Sequence, residues 1–209
     1  MTSVTDESVA GLDVSRETFA TLQQFEQLVR RWTPAINLVS KATLPDLWQR
    51  HIVDSAQVFA LCSIEATHWA DLGSGGGFPG IVVAILAKQF RPEMRVTLVE
   101  SDLRKATFLR QAAQALSLPV VVSASRIESL EPLRADVVSA RALAPLAELV
   151  AFAHRHMAPG GMAIFPKGAR HAEELAAARA EWAFEETTYS SLSQADAAIV
   201  VIRNIHRHD

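Results

Sequence analysis

Gly73, Gly75, Gly76 and Gly77 place four glycines in five residues, between an apolar run that ends at Leu72 and a helix-length segment that begins near Phe78. Glycines in such a turn permit positive φ and remove side chains, so backbone can approach a ligand at the end of a strand. Glu100 closes the next apolar run. A carboxylate is acceptor-only and so suits a pair of sugar hydroxyls, both of which donate. Asp102 is the reserve for that role, and either acid could instead stabilise the N-terminus of a helix starting near Leu103. Arg141, where a later strand ends, carries a fork of donors that fits a carboxylate or a phosphate equally well.

Two cofactors compete for the glycine turn. Read from Gly75, the pattern is G-x-G-x-x-G ending at Gly80, with Glu100 twenty residues further on, which is the dinucleotide fingerprint. That fingerprint wants its first glycine directly after the strand, whereas Asp71 to Ser74 intervene here. Read from Asp71, the pattern is acidic-x-Gly-x-Gly-x-Gly and nothing is left over. This is the turn of Rossmann-like methyltransferases, in which the loop passes under the amino-acid end of S-adenosylmethionine and a carboxylate after the second strand holds the ribose. Asp71, Gly73, Gly75, Gly77 and Glu100 then belong to the donor site. The methyl donor is the better fit. An NAD(P)-dependent oxidoreductase built on the Gly75 to Gly80 turn, or a non-catalytic nucleotide-binding protein, is the alternative.

Such residues need a scaffold that brings strand ends together. From residue 67 onward, short apolar runs alternate with amphipathic helix-length segments, the pattern of a parallel sheet covered on both faces. Strands are expected at 68–72, 95–100, 119–123, 135–140, 161–166, 184–190 and 197–203, and helices near 78–89, 103–116, 145–157 and 170–181. The polar stretch 191–196 is too short for a helix, so the last strand should return antiparallel. The fold class is therefore α/β, with a seven-stranded, mostly parallel sheet. Residues 66–209 form the Rossmann-like unit, and residues 1–65 read as an N-terminal helical extension. Phe19, Leu22, Phe25, Leu28, Val29 and Trp32 recur there at helical spacing behind a Ser15 cap, and Pro34 and Pro45 punctuate the stretch after them.

Composition removes other classes. In 209 residues, 49% hydrophobic and 21% charged is the balance of a core-forming chain, neither disordered nor fibrous. The longest uncharged apolar run, Ile81 to Ala87, falls far short of the about 18 residues that cross a bilayer, and the Met1-Thr2-Ser3 start is not that of a signal sequence, so a cytoplasmic protein is expected. Cys62 stands alone, which excludes an internal disulfide, and no His or Cys cluster has metal-ligand spacing. The net charge of −3 argues against a globally basic nucleic-acid binder, yet it resides wholly in residues 1–17, leaving the body neutral with local basic clusters.

Several further segments resemble one family in order and spacing: Ile36-Asn37-Leu38-Val39-Ser40, Arg50-His51-Ile52-Val53-Asp54-Ser55, the Asp71 to Gly80 turn, Ser125-Arg126-Ile127-Glu128, Ser139-Ala140-Arg141-Ala142 and Lys167-Gly168. Together they span residues 36–168, and the chain is similar to the RsmG (GidB) family of bacterial 16S rRNA guanine-N7 methyltransferases. Where the family more often has Leu-Lys-Gly, this chain has Pro166-Lys167-Gly168. The resemblance implies S-adenosylmethionine as cofactor, 16S rRNA or the small ribosomal subunit as partner, and N7 of guanine 527 in the 530 loop as acceptor. It lines the donor with Gly73 and Phe78, places Ile127 and Glu128 beside the adenine and Arg141 near the donor, and sets Asn37, His51, Asp54 and Ser55 over the cofactor mouth. Lys167 is expected on RNA phosphate. No metal is expected, because no second His or Cys stands at ligand spacing from His51, and no general base, because guanine N7 carries a lone pair and no proton; the protein is expected to act as a monomer.

Overall fold

Ser15 opens the first long helix by accepting the Thr18 amide on its hydroxyl at 3.1 Å, one of the donors a helix start leaves unpaired. The computed structural model describes residues 7–63 and 65–208; Asp6 and the Met1 to Ser3 start lie outside the described residues. Helix α1 (Arg16–Ile36) buries Leu22, Phe25 and Val29, the stripe its periodicity predicts. It runs on through Pro34, correcting the reading of that proline as a break. Only the last turn is affected, and the chain leaves it at Asn37, whose left-handed φ of 51° ends the helix.

The helical reading of the first 65 residues also fails at residues 7–14. These form a hairpin, β1 (Glu7–Val9) and β2 (Leu12–Val14), turned at Ala10 and Gly11 with φ of 53° and 80°. Glu7, Ser8 and Asp13 stay exposed while Val9 and Val14 are buried, and strands of three residues are too short to stand out in the sequence. After α1, a π-helical segment at Trp48–Val53 runs directly into α2 (Asp54–Ala60). The π-helical segment carries His51, and the first turn of α2 carries Asp54 and Ser55.

The remainder follows the expected alternation: β3 (His68–Leu72), α3 (Gly80–Phe90), β4 (Arg95–Val99), α4 (Leu103–Ala115), β5 (Val120–Ser123), β6 (Ala135–Ser139), α5 (Leu146–His156), β7 (Met157–Lys167), α6 (His171–Arg179), β8 (Trp182–Ser190) and β9 (Ala198–Arg207). The seven-stranded sheet has the order β5-β4-β3-β6-β7-β9-β8. Strands β3 to β7 are parallel, and β9 runs antiparallel between β7 and β8, as the short polar connection required.

Alternate residues of each central strand feed two cores. Trp69, Leu98, Val137 and Ile164 join α1, α3 and α4 on one face, while Ala70, Val99, Val138 and Phe165 join α5 and α6 on the other. The change of pattern near residue 66 is therefore not a break in packing, since Leu22, Phe25 and Val29 share a core with Ile81 and Phe108. The chain leaves β3 toward β4 on one side and returns to β6 on the other. That switch point opens a crevice at the carboxyl ends of the strands.

Candidate active site

Two adjoining cavities occupy this crevice, and the glycine turn forms the floor of the first. That cavity, about 380 Å³, is lined by the Gly73 to Gly76 backbone, Phe78, Glu100, Ile127, Glu128 and Arg141. Glu100 is nearly buried, and its carboxylate is fixed from both sides. Gly75 N–H donates to Oε2 and Asp102 N–H to Oε1, each at 2.8 Å. With one backbone donor per oxygen, each oxygen keeps a lone pair for a ligand. Asp102 instead caps α4, accepting the Arg104 and Lys105 amides, and those hydrogen bonds hold its carboxyl below the usual range. Of the two acids left open by the sequence, Glu100 faces the cavity.

Asp71 and Gly77 take up positions the sequence did not suggest. Asp71 is wholly buried beneath the turn, outside the cavity wall, with Oδ1 accepting the Ser139 hydroxyl at 2.7 Å and Oδ2 accepting Gly80 N–H at 3.1 Å. Burial pushes its carboxyl up to about 6, against the lowering effect of these hydrogen bonds. Gly77, at φ of 86°, backs onto Ile81 and Phe25, so it lets α1 approach the turn and does not line the cavity. The carboxylate on Gly80 N–H also counts against the dinucleotide alternative. A pyrophosphate at the N-terminus of α3 would find that amide already taken by an internal acid.

Gly73 and Gly75 both have positive φ, at 64° and 53°. A Cβ on Gly73 would meet Leu143 at 2.6 Å, whereas at Gly75 it meets nothing closer than 3.7 Å. A valine at Gly75 would thus be strained by its φ and would take up space beside Glu100. Gly75→Val is expected to stay folded while losing S-adenosylhomocysteine binding, as read by calorimetry beside a circular-dichroism melt. Unchanged affinity in a folded variant would detach the turn from the donor site.

The second cavity, about 320 Å³, meets the first at Arg141 and Ala142 and is walled by Arg50, His51, Asp54, Lys167 and the loop after β8. His51 packs against Phe78 with ring centroids 5.0 Å apart and the planes tilted by 34°, and its Nε2 pairs with Thr43 Oγ1 at 2.9 Å. Burial first, then the Arg141 and Arg50 charges, push its imidazole down to about 3, so it is neutral at physiological pH. Arg141 sits over the Phe78 ring at 5.1 Å and donates to Arg50 O at 3.4 Å, with no ion pair among the described residues. Lys167 is less free than its sequence position implied, because its ammonium is paired with Glu174 and donates to Ala144 O. Ser55 is buried in α2, and Asn37, exposed at the end of α1, lines neither cavity.

Sequence reasoning did not single out Leu38 and Leu143 on the first cavity, nor Thr43, Ser191, Ser193 and Gln194 on the second. Leu38 and the Ser125-Arg126 pair lie inside segments that carried the family resemblance, so there the signal was present. The serines lie in a connection that reads only as a turn.

The profile of the family described as rRNA small subunit methyltransferase G (GidB) matches residues 18–205. The chain belongs to this family. A GidB-family relative from Cereibacter sphaeroides, named ribosomal RNA small subunit methyltransferase G, is 53% identical over 192 residues, 92% of each chain. A relative of the same name from Parvibaculum lavamentivorans is 44% identical over 209 residues, covering 99% of this chain and 92% of its own. Among solved structures, an O-methyltransferase from Bacillus cereus in complex with SAH aligns with a TM-score of 0.59 at 16% identity, over 88% of this chain and 91% of that one. The expected fold, the Rossmann-like methyltransferase sheet with an N-terminal extension, is the one observed.

Proposed function

We propose that this protein transfers a methyl group from S-adenosylmethionine to N7 of guanine 527 in the 530 loop of 16S rRNA. The observation that carries the reading is the meeting of the two cavities at Arg141 and Ala142: one is a glycine-floored pocket with a fixed carboxylate, the other a polar pocket of base-sized reach. When bound, S-adenosylmethionine supplies a methyl group activated on a sulfonium sulfur. Glu100 accepts the two ribose hydroxyls, Ile127 offers an apolar face to the adenine, and the Gly73 to Gly75 backbone passes beneath the amino-acid end. Glu128 stands at the adenine edge, and Arg141 stands at the junction within reach of either ligand.

Guanine N7 needs no deprotonation, so these residues must align and dehydrate the reactants rather than move a proton. His51 fits that task, since a neutral, buried imidazole packed on Phe78 forms a rigid wall. Alignment of reacting atoms is worth about 7–11 kcal/mol in the best oriented systems, enough to dominate this chemistry. The test is incubation of the protein with labelled methyl donor and unmethylated small subunits or 16S rRNA, followed by reduction and aniline scission, which cleaves at N7-methylguanosine. One cleavage at position 527 is expected. Label elsewhere, or protection of the protein by NAD and not by S-adenosylhomocysteine, would overturn the reading.

RNA contact should fall on Arg50 more than on Lys167. Arg50 is exposed, and among the described residues its guanidinium hydrogen bonds only the neutral Gln194 amide oxygen, while Glu174 neutralises Lys167. A cation that releases counterions contributes a slope of about −0.7 to −0.9 in log K against log salt. Arg50→Ala should therefore flatten the measured salt dependence of RNA binding by roughly that amount, and Lys167→Ala by less, with both retaining S-adenosylhomocysteine. Equal slopes in wild type and Arg50→Ala would move the phosphate contact elsewhere.

A further inference from the structure

Asp54 is a carboxylate set into the wall of the second cavity, less than a tenth exposed, within the field of the Arg141 guanidinium on the same wall but in no salt bridge among the described residues. Its Oδ1 accepts the Ser191 and Ser193 hydroxyls, each at 3.0 Å, which fills both lone pairs of that oxygen. Oδ2 accepts no hydrogen bond among the described residues. Ser191 cannot easily turn around, because its Oγ already accepts the Ser193 and Gln194 amides at 3.1 and 3.2 Å and so must donate its own proton, toward Asp54 and the Ser193 hydroxyl 3.1 Å away. The loop after β8 thus holds one end of the carboxylate as a pure acceptor and leaves the other end open. Arg141 offsets the charge without donating to Oδ2, so the open oxygen keeps its lone pairs for a ligand that brings donors. The other acid on this cavity, Glu174, is already engaged by Lys167 and by Leu146 N–H.

Resting on the guanine reading above, we infer that Asp54 Oδ2 accepts N1–H and the 2-amino group of the acceptor base and so selects guanine. The placement follows from the shape of the purine. N7 must meet the methyl group at the junction of the cavities, beside Arg141 and Ala142. On guanine, N1–H and the 2-amino group lie at the end of the base remote from N7. A base with N7 at the junction carries those two donors away from the first cavity and into the second, whose wall includes Asp54 while that of the first does not. Adenine presents an acceptor at N1 and no 2-amino group, so it would set a lone pair against a buried anion. The readout is acceptor against donors, which is the reason a carboxylate suits guanine. Ser191 and Ser193 are positioning residues that act through Asp54.

Asp54→Asn provides a sharp test. The serine hydroxyls will hold the amide oxygen in the Oδ1 place, so the amide nitrogen replaces Oδ2 and meets the base donor to donor. Methyl transfer is measured on two RNAs, with guanosine or with inosine at the target position; inosine lacks only the 2-amino group. Wild type should prefer guanosine by about 10- to 100-fold in kcat/KM, the range for a hydrogen bond to a charged group. Asp54→Asn should keep S-adenosylhomocysteine affinity and lose most of its rate on guanosine RNA, and its preference for guanosine over inosine should fall toward unity. Because any effect of inosine on RNA folding is common to both proteins, the ratio of ratios isolates the contact. A purely structural role would slow both RNAs alike and keep the wild-type ratio, which overturns the assignment. If Asp54→Asn fails to bind S-adenosylhomocysteine, the wild-type ratio decides: a clear preference supports the contact and equal rates refute it. Wild type that methylates no guanosine RNA sinks the proposed function and this assignment with it, whereas transfer without discrimination sinks the assignment alone.

Discussion

Glu100→Ala is expected to weaken S-adenosylhomocysteine binding by about 100- to 10,000-fold, the equivalent of roughly 3–5 kcal/mol from two hydrogen bonds to a charged group. The expectation rests on how the carboxylate is held. Gly75 N–H and Asp102 N–H each bind one oxygen, so the acid couples the glycine turn to the start of α4 and presents its remaining lone pairs to the cavity. Truncation removes the ligand contact and leaves two backbone donors without their partner. Glu100→Gln should fail nearly as badly, because its amide nitrogen must face one of those two N–H groups. Asp102→Ala is the matched control. It deletes the cap of α4 and should cost about 1 kcal/mol of stability, with donor affinity unchanged. Calorimetric titration of the three variants checks the set, and a folded Glu100→Ala with wild-type affinity would remove this residue from the donor site.

The contrast between Glu100 and Asp102 shows how far the sequence reached. Both acids were visible at the end of a strand, and the glycine turn announced a ligand, because glycine spacing is a local property that survives in one dimension. Which acid faces the cavity depends on φ and ψ at Ser101 and on where α4 begins, and only the fold decides that. The seven strands were legible for the same local reason, as apolar runs of period two or continuous burial between turn residues. Element ends moved where pairing extended them: β7 begins at Met157, earlier than expected, because Ala135 pairs there before a register shift in β6. The hairpin at residues 7–14 was hidden by its three-residue strands. The walls of the second cavity were hidden for another reason. Ser191 and Ser193 lie more than 130 residues from Asp54 in sequence, and no local pattern encodes a contact of that separation.

Asp71 carries the largest expected effect on stability. The chain of hydrogen bonds beneath the turn runs from Trp69 Nε1–H to Ser139 Oγ at 2.8 Å, from the Ser139 hydroxyl to Asp71 Oδ1, and from Gly80 N–H to Oδ2. Asp71→Ala leaves the Ser139 hydroxyl and the first amide of α3 unpaired in a dry interior, at about 1–3 kcal/mol each. A total near 4 kcal/mol would lower Tm by about 8–16 °C in a protein of this size. Donor affinity should also fall, because Gly80 anchors the helix after the turn. The pH dependence carries the sign. In the fold Asp71 keeps its proton up to about pH 6, whereas the unfolded chain releases it near the ordinary carboxylate value of 3.8. Between those limits the folded state binds the extra proton, so this group's contribution is fully present at the acidic end and is lost as pH rises, by about 3 kcal/mol across the window. Asp71→Asn cannot titrate. Its stability relative to wild type should therefore improve from pH 4 to pH 6 and level off above, as read from urea midpoints of the two proteins at matched pH. Parallel midpoints through that range would mean that Asp71 titrates as an ordinary surface acid, and that the anion beneath the turn holds α3 in its charged form at every pH where the protein folds.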